Sequence, residues 1–176
     1  MRIVIVGCGR VGAALAESFD AEGHQVVILD VSTAAFDRLP GTFRGSAVRG
    51  DGTDEDVLRR AGAEGADLFL ALTEGDNRNV MAAQVAAEEL GAAKVVAKIN
   101  DPVRAEAYAD LGIASLCRTN LLVDAVRGHV GLAELHPPGV MAATGYHPGG
   151  EHHDIGAAEA STVTAASAAP FAALEG

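Results

Sequence analysis

An α/β fold built on a doubly wound parallel sheet of six strands, in the order 3-2-1-4-5-6, is what this sequence predicts. Three observations carry it. The chain opens on an apolar, β-branched run, Arg2-Ile3-Val4-Ile5-Val6, closed by Gly7, which reads as a strand buried on both faces. Strand and helix signals then alternate to about residue 132. Finally, 49% of residues are apolar while aromatics make up only 4% and Trp is absent. That suits an Ala/Val/Leu core between a sheet and helices better than an all-β sandwich. Parallel strands joined through helices need crossovers, which are right-handed in nearly all cases. The resulting doubly wound order places a ligand crevice between strands one and four.

Each element follows from local signals. Val11, Leu15, Ser18 and Phe19 recur at helical spacing after the first strand, and Gln25-Val26-Val27-Ile28-Leu29 is the second strand, ending in Asp30. Residues 32–39 read as a short helix capped by Ser32 and ended by Pro40-Gly41. A short strand covers 46–49, and the turn cluster Gly50-Asp51-Gly52-Thr53-Asp54 leads into a helix over 55–61, capped by Thr53 or Asp54. Leu68-Phe69-Leu70-Ala71-Leu72 is the fourth strand. It breaks at Thr73-Glu74-Gly75-Asp76 and enters a helix over 77–90 that Gly91 closes. Residues 94–99 form strand five, and Pro102 starts a helix running to 111. Strand six spans 113–116, and a last helix over 119–130 carries Leu122, Val126 and Val130 on one side.

The chemistry concentrates around the first turn. Gly7-Cys8-Gly9-Arg10-Val11-Gly12 lies between strand and helix, the setting in which G-x-G-x-x-G cradles a pyrophosphate. Gly7 allows the tight turn, Gly9 bares the backbone to the phosphates, and Gly12 lets the helix pack close. Amides at the helix start then face the anion along the helix dipole. Asp30 follows about twenty residues downstream, where a carboxylate accepts from a ribose 2′-OH and repels a 2′-phosphate. NAD(H) is thereby favoured over NADP(H), and ATP or ADP satisfies the same contacts.

The topology brings three further loops to the same edge. Arg10 and Lys98 offer positive charge to phosphates, Asp51 and Thr53 reach the adenine or ribose side, and Thr73, Asp76 and Asn79 lie near the second half of a ligand. Structural roles for these polar residues stay open: Thr73 and Asp76 as helix caps, Asp51 as a turn former.

Composition narrows the function classes. A net charge of −11 repels nucleic acid and anionic membrane surfaces. The first strand begins at once, which leaves no room for a signal peptide, and no apolar run approaches bilayer length. Cys8 and Cys117 have neither metal-ligand nor disulfide spacing. No Ser/His/Asp or Cys/His pairing stands out, and little follows strand six to serve as a dehydrogenase's substrate domain. All thirteen Lys and Arg precede His136. Beyond it Pro, Gly, Ala, Ser and Thr dominate, so 133–176 reads as a low-complexity, mostly flexible tail beside a domain over 1–132. His147, Glu151, His152, His153 and Asp154 cluster in that tail, where a Gly-Pro setting supplies no fixed metal geometry.

The glycine turn, Asp30, Gly50-Asp51-Gly52-Thr53-Asp54, Ala71-Leu72-Thr73 with Asp76 and Asn79, and Val96-Ala97-Lys98-Ile99-Asn100-Asp101-Pro102 occur in that order. Together they resemble the RCK or KTN nucleotide-binding domain (TrkA-N) of TrkA-like and KtrA-like potassium-uptake regulators. The resemblance implies a Rossmann-like fold in a cytosolic, non-enzymatic regulatory subunit. It implies assembly as dimers or larger rings at the inner face of the membrane, under a potassium transporter or channel gated by NAD(H) or ATP/ADP. It implies nucleotide contacts at Gly7 to Val11, Asp30, Asp51, Gly52, Thr73, Glu74 and Lys98, and a crossover helix at 119–130 that packs on a neighbouring subunit. Lys98 stands where many relatives have arginine, keeping the charge without the bidentate fork. The family's usual second regulatory domain has no counterpart in the tail, which points to a separately encoded RCK-type partner. A small NAD-dependent oxidoreductase and a nucleotide or redox sensor acting on another partner are the competing readings.

Overall fold

The computed structural model describes residues 1–110 and 114–136. Six strands form one all-parallel sheet in the order β3-β2-β1-β4-β5-β6. They are β1 (Arg2–Val6), β2 (Gln25–Asp30), β3 (Ser46–Arg49), β4 (Leu68–Ala71), β5 (Val95–Ile99) and β6 (Ser115–Cys117). The helices are α1 (Arg10–Ala21), α2 (Glu55–Arg60), α3 (Asp76–Gln84), α4 (Pro102–Asp110) and α5 (Arg118–His129).

The central strand shows why the sheet needs both layers. Ile3, Val4, Ile5 and Val6 are each at most 2% exposed. Alternation sends Ile3 and Ile5 to one face, where they meet Ala13 and Ala16 of α1 and Ile28. Val4 and Val6 go to the other, against Leu58 of α2, Phe69, and Ala82 and Ala86 on the α3 side. Each such buried side chain contributes roughly 1.5–3 kcal/mol of transfer free energy. Small alanines on the helices let these layers approach closely, as the Ala-rich composition anticipates.

Two elements differ in kind from the sequence expectation, and β6 runs to Cys117, past its expected end at 116. Residues Thr33–Arg38 form a 3₁₀ helix, and Ser32 makes no side-chain cap. The Ser32 amide is instead drawn back to Asp30 Oδ1, 2.9 Å away, and short runs of this kind often close as 3₁₀ turns. The helix after β4 turns π-helical over Val85–Glu89. There the Leu90 amide donates to the Val85 carbonyl at 3.1 Å, and Leu90 is seated in the core. Gly91, at φ +62°, then ends the helix as expected. Asp54 caps α2 through the Val57 amide at 3.1 Å. The last helix begins at Arg118 rather than 119. The expected tail over 137–176, with its histidine cluster, lies outside the described residues, as do Leu111 and Ile113.

The glycine turn is constrained from below. A Cβ at Gly12 would collide with the Gly7 carbonyl oxygen, whereas a Cβ at Gly9 meets nothing within 4 Å. Gly12→Ala should therefore lower unfolding free energy in urea by about 2 kcal/mol or more, while Gly9→Ala stays within about 1 kcal/mol of the parent.

Candidate functional site

The carboxyl ends of β1, β2, β3 and β4 surround a cleft of about 420 Å³, within the range of small-ligand sites, roughly 300–1,000 Å³. The glycine turn forms its floor. Gly7 adopts φ +105°, and a Cβ there would come within 2.9 Å of the Leu72 and Thr73 backbone. Only glycine fits that approach. The Gly7 amide donates to the Leu29 carbonyl at 2.7 Å and the Leu72 amide to Val6 at 2.7 Å. These bonds set the turn between the ends of β2 and β4.

Asp30 is the main organiser. Its Oδ2 accepts the Cys8 amide at 2.8 Å and its Oδ1 the Ser32 amide, while its own carbonyl accepts from the Gly50 amide at 3.0 Å. One residue thus pins three of the surrounding loops. A carboxylate has about four acceptor positions, so capacity toward a ligand hydroxyl remains.

The α1 N-terminus supplies donors. Gly9 is its N-cap and no side chain caps it. The first intrahelical bond runs from the Ala13 amide to the Gly9 carbonyl at 2.9 Å. The amides before Ala13 are thus left for an external acceptor. With open space over Gly9, the arrangement fits a phosphate group.

Of the residues singled out in the sequence, Gly7, Cys8, Gly9, Asp30, Asp51, Gly52, Thr73 and Glu74 line this one cleft. Cys8 contributes backbone alone. Its buried thiol donates to the Ala35 carbonyl at 3.3 Å, and burial, followed by the nearby Asp30 carboxylate, raises its pKa above the usual thiol value. Asp51 accepts the Thr53 amide at 3.0 Å and its hydroxyl at 2.9 Å. Those two bonds, and the Arg78 charge against slight burial, hold its carboxyl below the ordinary range. Gly52 lies so close to the Val6 side chain that a Cβ would collide with it.

Arg10, Val11, Gly12, Thr53, Asp76, Asn79 and Lys98 are off the cleft wall. Arg10 and Val11 are exposed on the outer side of α1, and Gly12 packs under the turn. Asn79, fully buried, is a brace with all four hydrogen-bonding positions used. It accepts the Thr73 amide (2.8 Å) and hydroxyl (2.6 Å), and donates to the Thr73 and Lys98 carbonyls (3.0 and 2.8 Å). Asp76, one turn earlier on the same face, accepts the Asn100 amide at 2.9 Å, the Asn100 side chain at 2.7 Å and the Asp101 amide at 3.2 Å. Burial by itself pushes its pKa up, but these bonds outweigh that and bring it below the usual carboxylate value. Lys98 stands behind Glu74, with Nζ 3.8 Å from Glu74 Oε1.

Ser32, Arg38 and Arg78 also line the cleft and escaped the sequence reading. Arg78 was traceable in principle: two residues after the inward Asp76, it points away from that buried face. Among the described residues, no group of three His, Cys, Asp or Glu is arranged to hold a metal. None of the described helices is long and apolar enough to cross a membrane.

The TrkA-N domain model matches residues 3–119 of this chain. The chain belongs to the TrkA-N family. Over 124 residues it is 47% identical to the Trk system potassium uptake protein TrkA of Streptomyces coelicolor, covering 70% of this chain and 56% of that protein. The chain spans about half the length of this and two further TrkA relatives, from Pyrococcus abyssi and Pyrococcus horikoshii. The TrkA-N fold is also that of the Shewanella denitrificans Kef CTD in AMP-bound form, at 23% identity and TM-score 0.59, covering 76% of this chain and 84% of that one. It recurs in the GsuK channel bound to NAD, at 18% identity and TM-score 0.58, covering 72% of this chain and 23% of that one.

Truncating the Asn79 brace should be costly: Asn79→Ala strands buried backbone groups and should lower unfolding free energy by about 2–4 kcal/mol in urea titrations. Asp76 has a depressed pKa in the folded chain. Its contribution is therefore complete above the unfolded value, about pH 4, and is lost as pH falls through the folded value. Urea midpoints should drop below about pH 4, and Asp76→Asn should flatten that drop.

Proposed function

We propose that this TrkA-N chain is a cytosolic regulatory subunit of a Trk-type potassium transporter or channel, binding NAD(H) or ATP/ADP to control gating. The observation that carries it is the pairing of unused α1 amides with Asp30 across one cleft. The Gly9–Val11 amides would hold phosphates, and Asp30 the ribose hydroxyls. Asp51, Gly52, Thr73 and Glu74 would line the remainder. Two proteins of the same fold, the Kef CTD in its AMP-bound form and the GsuK channel bound to NAD, support this ligand class, and the potassium-uptake name of the Streptomyces relative supports the system served.

On this reading the ligand is sensed and not consumed. The Asp30 and Asp51 carboxylates are tied to backbone amides and, at Asp51, to the Thr53 hydroxyl as well, a setting that positions groups. Signalling needs unequal nucleotide affinity for two quaternary states. α5 offers the surface for assembly into dimers or rings: Leu121, Leu122, Val126 and Val130 are each more than half exposed. The subunit would thus sit at the inner face of the membrane through its transporter, alone or beside a second RCK-type subunit.

Calorimetry with NADH, NAD, ATP and ADP, paired with light scattering, tests this. The expected result is saturable binding by a dimer or larger assembly without cofactor turnover. Steady NADH oxidation with carbonyl substrates, abolished by cleft substitutions, would favour the oxidoreductase; no binding of any of the four would sink both. Asp30→Ala should weaken binding by about tenfold to a hundredfold, the worth of one or two charge-assisted hydrogen bonds.

A further inference from the structure

Lys98 is an anomaly beside the cleft. It is 8% exposed, yet among the described residues its ammonium has no hydrogen-bond acceptor. Its one ion-pair partner among the described residues is Glu74, 3.8 Å away, whose side chain is 88% exposed. A mostly desolvated cation at that separation is poorly compensated. The two partners are also unequally fixed. Lys98 is set in β5, and its carbonyl is held by Asn79. Glu74 is fixed only through its main chain, where its carbonyl accepts from the Asn100 side chain at 3.1 Å. Its carboxylate can rotate into water, and it is Glu74, not Lys98, that forms the cleft wall.

We propose that Glu74 is an internal stand-in for a ligand phosphate, occupying Lys98 until an anionic nucleotide displaces it. The proposal rests on the nucleotide-binding reading above. A phosphate oxygen reaching Lys98 gains a short charge-assisted bond in place of a loose pair, and Glu74 swings into solvent at little cost because it is already exposed. Glu74 thereby sets specificity by charge. ADP, whose terminal phosphate carries more charge than the diester pyrophosphate of NAD, displaces it more readily.

The test is a double-mutant cycle on the full chain, by calorimetry with ADP and with NAD. Glu74→Gln should tighten ADP about threefold to fivefold, the scale of a partly exposed ion pair, and NAD less. Lys98→Gln should weaken ADP about tenfold or more, and adding Glu74→Gln to it should then change little. An equal gain from Glu74→Gln in both backgrounds would mean plain repulsion and overturn the stand-in, as would no gain at all. Lys98→Arg keeps the charge if Lys98→Gln does not fold. In that background the Glu74→Gln gain should persist, and its loss would equally overturn the stand-in. Wild-type chain that binds neither nucleotide refutes the binding reading itself. Binding with zero coupling refutes only the role of Glu74.

Discussion

The carboxylate of Asp30 is the contact on which the cleft depends. The glycine turn has backbone amides that must be paired or hydrated, and it must sit against the end of β4 without a side chain to wedge it. Asp30 resolves both needs by taking the Cys8 amide on one oxygen and the Ser32 amide on the other, at 2.8 and 2.9 Å. Because Asp30 is the last residue of β2, the turn's position is referred to the sheet, the most buried part of the molecule. The α1 amides are therefore presented in a fixed direction before any ligand arrives, which lowers the ordering cost of binding.

That economy has a consequence for how Asp30 is understood. A carboxylate that only received ribose hydroxyls would be dispensable to the empty protein. Here it also anchors two loops, so on the proposed reading the loss measured for Asp30→Ala would combine lost contacts with a loosened cradle. Its neighbour Cys8 shows the same division of labour. The amide serves the turn, while the thiol is turned into the core against Ala35, where burial and then the Asp30 carboxylate raise its pKa. The thiolate, and with it nucleophilic or redox chemistry, is suppressed at that position.

Much of this was legible in the sequence because the signals were backbone signals. A β-branched run closed by glycine can hardly be anything but a buried strand, and the strand order follows from alternation and crossover handedness. Gly91 and Asp54 announced a helix end and start through conformations and caps that few residues supply. The 3₁₀ segment and the π-turn were not legible, since each depends on where a neighbouring group comes to lie. Asp30 draws the Ser32 amide away, and the core draws in Leu90. The same limit applies to the polar loops. Order along the chain brought Asp76, Asn79 and Lys98 to the correct edge, but whether a side chain faces the cleft or the interior depends on helix phase. In α3 that phase turns Asp76 and Asn79 inward and leaves Arg78 on the cleft wall.

The inward pair matters because it braces the cleft wall from behind without forming it. Asn79 ties Thr73, at the cleft, to the Lys98 carbonyl, and Asp76 ties the start of α3 to Asn100. The Asn100 carbonyl in turn accepts the Thr119 hydroxyl of α5 at 2.6 Å. The Asn100 side chain also donates to the Glu74 carbonyl, so Asn100 links the segment after β4 to the helix carrying the exposed apolar stripe. Such a chain is not by itself a signalling route, because coupling requires an element with two arrangements that both sites bias. The weak point in this set is Asn100, whose Oδ1 is buried without a partner among the described residues. An orphaned acceptor in an otherwise saturated network favours any shift that satisfies it. Asn100 is therefore where the hydrogen bonding between the Glu74 segment and α5 is least satisfied.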